Sequence, residues 1–194
     1  MTPTITTRPS GAFLLKDVIG AYPSLYKATT IKNVADSKPR FGITVLIPKT
    51  ATKVIAEIKN SIAAVAKDKL KISKLAEADS CFRDGDENSN ENFHGHYVLS
   101  LYKYPSENAA RGGAPDVVDG GKNQISQGAS NEPLSGDIVN VLFDLYTPSK
   151  WKKVSGGLKA VQFVSKGEFI GAGSSASEFD EDEASDIGEE DTDL

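Results

Sequence analysis

Three segments of the sequence place aromatic rings next to lysine or arginine side chains. They are "KPRFG" with Lys38, Arg40 and Phe41, "HYVLSLYKYP" with Tyr97, Tyr102, Lys103 and Tyr104, and "LYTPSKWKK" with Tyr146, Lys150, Trp151, Lys152 and Lys153. An aromatic ring can stack on any unpaired base, a contact that contributes about 1–3 kcal/mol per base. A neighbouring cation neutralises phosphate and releases counterions. This pattern predicts a surface that binds a single-stranded polynucleotide with little dependence on its sequence.

The same rings could instead belong to a hydrophobic core, and the strand pattern separates some of the cases. Phe41 and Phe143 fall on the apolar faces of their predicted strands, which favours burial. Trp151 falls in a basic turn where little core is expected, which favours a binding role. Both interpretations stay open for the remaining tyrosines of interest, Tyr102, Tyr104 and Tyr146.

A second candidate chemistry lies in the polar loop "FRDGDENSNENFHG" (82–95) and the residue after it. Carboxylates and imidazoles together could hold Mg²⁺, Mn²⁺ or Zn²⁺ for a metal-dependent nuclease or phosphoesterase. The candidate ligands are Asp84, Asp86, Glu87, His94 and His96. The ligands crowd one short segment, and an Asp-Gly pair is also common in ordinary turns. The loop therefore predicts an enzyme only as an alternative to strand binding.

Motifs for nucleotide hydrolysis and nucleophilic catalysis are incomplete. The stretch "GGK" (120–122) lacks the earlier glycine and the following Ser or Thr of a phosphate-binding loop. Both histidines of the chain lie in "HGH" (94–96), so a Ser or Cys triad would have to be built around that one loop. We therefore expect a protein that is not an enzyme and that uses no cofactor and no metal.

The charges of the chain are unevenly distributed. The net charge is −5, but residues 177–194 hold 10 acidic residues and no lysine or arginine. The rest of the chain carries 22 basic and 27 − 10 = 17 acidic residues, a balance of +5. A mildly basic body with an acidic tail is typical of a polyanion-binding protein whose tail competes with the ligand or recognises a partner. An acidic tail that only keeps the protein in solution is the simpler alternative.

Cysteine usage and hydropathy indicate the compartment. The single cysteine, Cys81, excludes an internal disulfide and fits a reducing environment. The sequence has no apolar run near the roughly 20 residues that span a membrane. Its first residues lack the basic opening and the long apolar segment of a signal peptide. We expect a cytosolic protein.

Hydrophobic periodicity predicts a mainly β domain with one long helix. Apolar residues recur at helical spacing between about residues 50 and 70, as in Ile55, Ile58 and Ile62. Period-two alternation predicts strands elsewhere, and the first two should form an antiparallel hairpin. The predicted strands are 24–35, 40–48, 96–104, 137–146 and 158–170, the last with a short helix as the alternative.

Five strands capped by one helix favour a particular architecture. They match a five-stranded, partly open barrel of the oligonucleotide-binding (OB) type, with long loops, and a generic α+β sandwich is the alternative. The predicted organisation is an irregular N-terminal arm (1–20), the barrel domain (21–172) and a flexible, disordered acidic tail (173–194).

Several motifs in a fixed order resemble a known family. They are "PRFGITVLIPK" (39–49), a helix, "FRDGDE" (82–87), "GHYVLSLY" (95–102), "PDVVD" (115–119) and "GGLKAVQFVSKGEFIGAGSSASEFDED" (156–182). The set resembles the podophage-type bacteriophage single-stranded DNA-binding proteins, a family long treated as a domain of unknown function. The resemblance covers about residues 24–182. It implies an OB barrel that coats single strands during phage replication, recombination and repair in the cytoplasm of the infected bacterium.

The resemblance also implies which residues bind DNA. Lys38, Arg40 and Lys49 flank the first motif, and Arg83 lies in the second. We expect these to line a groove together with Tyr102, Lys103 and Tyr104. Trp151 would form one lip of that groove, together with its neighbours Tyr146, Lys150, Lys152 and Lys153.

The acidic tail is expected to act on this groove or on a partner. A tethered polyanion competes with DNA phosphate at high effective concentration, so the tail can inhibit binding and can recruit a phage polymerase or helicase when DNA displaces it. The tail residues concerned are Phe179, Asp180, Glu181, Asp182, Glu183, Glu189, Glu190 and Asp191. A homodimer is a further partner expectation, and the sequence itself does not determine the oligomeric state. A protein that binds basic partners through its acidic tail, with no affinity for DNA, is the remaining alternative.

Overall fold

The computed structural model describes residues 2–30, 37–106 and 113–171. These residues form eight strands and one α-helix. The elements are β1 (Thr4–Thr7), β2 (Phe13–Thr29), β3 (Arg40–Pro48), α1 (Thr52–Val65), β4 (Phe82–Asp84), β5 (His96–Lys103), β6 (Asp116–Val118), β7 (Ile138–Tyr146) and β8 (Ser155–Ser165). The prediction of a mainly β chain with a single helix is confirmed.

Five of the strands close into a barrel. The antiparallel pairs are β2 with β3, β3 with β5, β2 with β7, and β7 with β8. A short parallel pair, Leu101 with Gly156 and Tyr102 with Gly157, joins β5 to β8 and completes the ring. A Cβ at Gly156 would lie 2.9 Å from the Ser100 carbonyl oxygen, so glycine permits this close approach. The OB-like prediction is confirmed, and the barrel is closed.

The core follows the alternation seen in the sequence. Ile43, Val45 and Ile47 of β3 point into the barrel, and so do the alternate apolar residues of β7. Phe143 of β7 is buried and stacks on Phe13 of β2, with ring centroids 5.4 Å apart. Burial of each such large side chain stabilises the fold by about 1.5–3 kcal/mol.

Helix α1 packs its apolar face on the same core. Its buried residues Ile55, Ile58 and Ile62 recur at the predicted helical spacing. A π-helical turn at Ala66–Leu70 follows, and Lys71 ends it in a left-handed conformation. Within the described residues, no helix is long and apolar enough to cross a membrane.

The expectation that residues 1–20 are irregular is wrong. β1 pairs with the first part of β2, and Leu15 and Val18 of β2 are buried in the barrel core. Pro9 and Gly11, which are typical of irregular segments, lie in the hairpin turn between β1 and β2, where Gly11 adopts a φ of +80°. The barrel therefore begins before residue 21.

Two further boundaries differ from the prediction. The first barrel strand runs over Phe13–Thr29 and not over 24–35, and residues 31–36 lie outside the described part of the chain. The last strand is Ser155–Ser165 and not 158–170. The segment between β5 and β7, for which the sequence predicts no strand, contains the short strand β6. The acidic tail, with all its predicted functional residues, also lies outside the described residues.

Candidate nucleic-acid interface

A row of aligned residues crosses four strands on the outer surface of the barrel. Ser24 of β2 pairs with Gly42 of β3, Gly42 pairs with Tyr102 of β5, and Tyr102 pairs with Gly157 of β8. Three strand spacings give this row a length of about 14 Å. Because two of the four residues are glycines and one is serine, the tyrosine ring is the only large side chain in the row.

Tyr102 is held in place from two sides. The guanidinium carbon of Arg40 lies 3.5 Å from the centre of the Tyr102 ring, a cation–π contact. A Cβ at Gly42 would lie 2.7 Å from Cδ1 of the same ring, so the ring occupies the space that glycine leaves free. The ring is thus positioned before any ligand arrives, with a permanent positive charge against it.

A cavity of about 490 Å³ lies on one side of Tyr102. Seven of the predicted binding residues line it, namely Arg40, Arg83, Tyr102, Tyr104, Tyr146, Trp151 and Lys153. Trp151 is 65% exposed and Tyr104 is 47% exposed, so ring surface remains open to solvent. The structure therefore brings together rings and cations that are separated by more than 100 residues in the sequence.

The loop between β7 and β8 holds Trp151 at the edge of this cavity. The Trp151 amide donates to the Pro148 carbonyl oxygen at 3.2 Å, and the Lys153 amide donates to the Trp151 carbonyl oxygen at 2.9 Å. The next amide, that of Val154, donates to the Asp79 carbonyl oxygen across the cavity wall. In OB folds the corresponding loop is one of those that contact oligonucleotides.

Two titratable groups in the cavity are neutral at neutral pH. Burial raises the pKa of the Cys81 thiol to about 12. Burial, and then the nearby Tyr104, raise the pKa of Tyr146 above its ordinary value. Neither group therefore contributes negative charge that would repel phosphate.

Two smaller cavities meet the first at Tyr102. One, of about 460 Å³, shares Arg83 and Ser100 with the first cavity and has an acidic lining from Glu77, Asp84 and Glu87. The other, of about 190 Å³, shares Arg40 with the first cavity. The three cavities are thus grouped around the Tyr102 ring, and we call them together the channel. In one branch Arg40 is the charged side chain, and in the other the carboxylates outnumber the cation Arg83.

The other predicted binding residues lie at different places. Lys38 is exposed just before β3, and Lys150 and Lys152 are exposed beside Trp151. The Lys103 ammonium donates to the Ala114 carbonyl oxygen at 2.9 Å, and Lys103 pairs with the inward-facing Phe41. These four lysines are not part of the cavity lining.

Lys49 lies at the opposite end of β3 from Arg40, about 30 Å away along an extended strand. Its ammonium is 2.6 Å from the Asp84 carboxylate and 2.6 Å from the Asp86 carboxylate. The two hydrogen bonds raise the pKa of Lys49 and lower those of both aspartates. The structure thus gives Lys49 a role in holding the 84–95 loop, and a DNA contact there stays an untested prediction.

Tyr97, the remaining ring of the aromatic segment, packs under the helix. It stacks on Phe82 with ring centroids 5.0 Å apart, and its hydroxyl accepts a hydrogen bond from the Lys59 ammonium at 2.7 Å. It lies on the opposite face of β5 from the exposed part of Tyr102.

The proposed metal ligands are arranged as a hydrogen-bonded loop. His94 Nε2 lies 3.1 Å from the Asn88 carbonyl oxygen, and His96 Nδ1 lies 2.9 Å from the His94 carbonyl oxygen. Within residues 2–30, 37–106 and 113–171, no three His, Cys, Asp or Glu side chains are grouped closely enough to hold a metal ion. The aspartates of the loop instead serve as the partners of Lys49.

Sequence reasoning missed three residues of the channel. Ser100 lines both of the larger cavities, and Tyr22 of β2 lines the small cavity. Gly42 provides the space under the Tyr102 ring. The period-two alternation of β3 and β5 places Gly42 and Ser100 on the outer face, but the signal for Tyr22 is absent because β2 is irregular there.

The chain is similar in sequence to proteins of known bacteriophages. The family model described as the single-stranded DNA-binding protein of Enterobacter phage Enc34 matches residues 12–190. Protein p50 of Acyrthosiphon pisum secondary endosymbiont phage 1 is 31% identical over 179 residues, which cover 86% of this chain and 91% of that protein.

Two solved structures share the fold. The single-stranded DNA-binding protein of bacteriophage Enc34, solved in complex with single-stranded DNA, is 20% identical, with a TM-score of 0.70 over 88% of this chain and 98% of that one. The single-stranded DNA-binding protein gp2.5 of bacteriophage T7 is 17% identical, with a TM-score of 0.54 over 93% of this chain and 98% of that one.

Proposed function

Since the chain belongs to the family of the Enterobacter phage Enc34 single-stranded DNA-binding protein, we propose that it binds single-stranded DNA with little sequence preference and protects it. The observation that carries the proposal is the channel across the barrel, in which the Tyr102 and Trp151 rings and the Arg40 cation line one cavity. A flat ring recognises the π-face that every base has, and a cation recognises phosphate, which every nucleotide has.

In the proposed mechanism the aromatic rings contact bases and the cations contact phosphates. Trp151, and the face of the Tyr102 ring that Arg40 does not cover, stack on unpaired bases, and each stacked base contributes about 1–3 kcal/mol. Arg40, Arg83 and Lys153 neutralise phosphates along the cavity, and the exposed lysines Lys38, Lys150 and Lys152 extend the positive surface at its edges. The Arg40 guanidinium stays charged at any physiological pH, so binding through it does not depend on protonation.

The biological role is to coat single strands that phage replication, recombination and repair expose in the cytoplasm of the infected bacterium. We propose that the acidic residues of 173–194 compete with DNA for the basic body and recruit a phage polymerase or helicase. The charge balance of the sequence supports this, because the body carries +5 and residues 177–194 carry ten acids. A homodimer is part of the same proposal.

The decisive experiment uses the single tryptophan. Fluorescence quenching of Trp151 by poly-dT should be saturable, and the affinity should fall as salt rises. Release of counterions from about three to five phosphates predicts a slope of log K against log salt of roughly −2 to −4. An unquenched tryptophan, or an affinity that does not change with salt, would contradict the proposal.

Two further measurements separate the alternatives. Labelled single strands incubated with the protein and Mg²⁺ or Mn²⁺ should stay intact, whereas a metal-dependent nuclease would cut them. Deletion of 178–194 should tighten binding, most at low salt, because the competing polyanion is gone. An unchanged affinity across the salt titration would show that the tail does not compete with DNA. It would not affect the proposed role of the channel.

A further inference from the structure

The third cavity of the channel, about 190 Å³ in volume, is lined by two aromatic rings. Tyr22 of β2 and Tyr102 of β5 both line it, and Arg40 lies at its boundary with the main cavity. Its other lining includes the hydroxyl-bearing residues Ser24, Thr29, Thr30 and Thr44. Rings, hydroxyls and one cation are a combination that suits a nucleobase and its phosphate.

Charge distinguishes this branch of the channel from the other. The neighbouring branch is lined by the carboxylates of Glu77, Asp84 and Glu87 and by the cation Arg83. Asp84 is paired with Lys49, so Glu77 and Glu87 still outnumber Arg83. Among the residues that the structure describes, the lining of the Tyr22 branch contains no acidic side chain. A polyanion that lies over Tyr102 is therefore repelled from one branch and admitted to the other.

The Tyr22 ring is fixed in position although it is 42% exposed. Its hydroxyl accepts hydrogen bonds from the side-chain amides of Asn90 at 2.9 Å and Asn92 at 3.3 Å. The ring meets Phe93 edge to face, with centroids 5.9 Å apart. A ring held from behind and open in front loses little conformational entropy when a base stacks on it.

The backbone at Tyr22 is strained. Tyr22 has a φ of +50°, a left-handed conformation that glycine or asparagine adopts far more easily. It lies in an irregularity of β2, where the pairing with β3 shifts between Ala21 and Ser24. Strain of this kind at a non-glycine residue is concentrated at functional sites. The Tyr22 ring is not part of either buried cluster and contacts only the edge of one of them, at Phe93.

From these observations we propose that Tyr22 is a second base-stacking platform and that the bound strand runs from Trp151 over Tyr102 into the slot between Tyr102 and Tyr22. The inference rests on the proposed function and specifies the path of the DNA. It follows the aligned row from β8 to β2, perpendicular to the strands, over about 14 Å.

The test uses substitutions of Tyr22 that distinguish the effect of the aromatic ring from the effect of the backbone conformation. Tyr22→Asn removes the ring and suits the left-handed backbone. Relief of the strain offsets the lost contacts to Phe93, Asn90 and Asn92, so the melting temperature should stay within about 4 °C of wild type. Tyr22→Phe keeps the ring and loses only the hydroxyl contacts. Phe169→Asn is the matched control, because Phe169 is an aromatic side chain that is 70% exposed and lies outside the three cavities.

Binding is measured by Trp151 quenching with a dT oligonucleotide of about 16 nucleotides, the upper end of the range that one OB fold covers. Loss of one stacked base predicts that Tyr22→Asn binds about 5- to 150-fold more weakly, while Trp151 is still quenched at saturation. Tyr22→Phe and the Phe169→Asn control should stay within about threefold of wild type. Wild-type affinity for Tyr22→Asn would overturn the inference.

A second measurement uses the unmodified protein and therefore does not depend on how a variant folds. Irradiation with an oligonucleotide that carries 5-iodouracil should crosslink a base to the peptide that contains Tyr22. Crosslinks confined to the peptides of Tyr102 and Trp151 would overturn the inference and leave the proposed function intact. If the wild-type protein neither binds nor crosslinks DNA, the proposed function itself fails.

Discussion

Replacing Gly42 by alanine disturbs the Tyr102 ring without changing any charge. The added Cβ would lie 2.7 Å from Cδ1 and 3.1 Å from Cε1 of that ring. Ordinary contact begins at 3.4 Å, so the ring has to move by about 3.4 − 2.7 = 0.7 Å. The ring is also in contact with the Arg40 guanidinium, 3.5 Å away. The movement therefore displaces the ring from Arg40 and weakens this cation–π contact.

The expected loss follows from the stacking energy. A stacked base contributes about 1–3 kcal/mol, and partial loss of one such contact is about 1–2 kcal/mol. Gly42→Ala should therefore weaken dT binding about 5- to 30-fold. The Cβ also comes within 3.1 Å of the Leu101 carbonyl oxygen, so the fold is strained by about 1 kcal/mol and the melting temperature falls by about 2–4 °C.

The assay is Trp151 quenching by oligo-dT together with a thermal melt. Gly120→Ala is the control, because a Cβ there meets no atom within 4 Å. In the background of Tyr102→Leu, the Gly42→Ala change should cost almost no further affinity, since the ring on which it acts is gone. The same loss of affinity in both backgrounds would refute the reasoning and show that Gly42 acts through the fold and not through the ring.

Three further predictions concern the surroundings of the channel. Lys49→Met removes the cation that lowers the pKa of Asp84 below its ordinary 3.8. That stabilisation is fully present above the unfolded-state pKa of 3.8 and is lost as pH falls from there through the lower pKa of the folded state. Thermal melts between about pH 5 and 2 should therefore show wild type losing more stability than the variant. Cys81, with its pKa raised to about 12, should react with iodoacetamide at pH 8 about 30-fold more slowly than a free thiol, until the protein unfolds. Asp137→Ala should lower the free energy of unfolding by about 2–4 kcal/mol in denaturant titrations and leave DNA affinity unchanged. The reason is that the buried carboxylate accepts hydrogen bonds from the Leu134 and Gly167 amides and from Lys166.

The sequence predicts those parts of the fold in which a local residue pattern determines which side chains of an element are buried. The alternation in Arg40–Pro48 predicts which side chains are buried, and the structure buries Ile43, Val45 and Ile47. The basic turn around Trp151 predicts an exposed ring, and Trp151 is the exposed edge of the main cavity. In both cases the signal is local, so no knowledge of distant contacts is needed.

The first barrel strand is missed because its pattern is broken three times. The pairing of β2 shifts between Leu15 and Val18, between Ala21 and Ser24, and between Ser24 and Thr29. Asp17 and Tyr22 adopt left-handed conformations at the first two of these places. Each irregularity moves the following side chains to the other face, so period-two alternation does not survive along the strand.

Long-range pairing is also invisible in the sequence. Lys49 follows β3 directly, which suggests a place near the groove, but its partners Asp84 and Asp86 are more than 30 residues further along the chain. The parallel pair that closes the barrel joins Leu101 to Gly156 and has no local signature. Such contacts depend on which strands become neighbours, and that is decided by the closure of the whole sheet.

The small side chains on the outer face support the proposal that the channel accepts any base. Gly42, Thr44 and Ser100 surround Tyr102 with small groups, so its ring stands above a flat floor. A site that reads base edges needs long, rigidly held amide or guanidinium groups at defined heights, and such a site rejects the wrong base. Here the guanidinium of Arg40 lies against the Tyr102 ring, so the ring and not a base edge sets its position. What remains for recognition is ring surface and positive charge, and those two features are common to every nucleotide of a single strand.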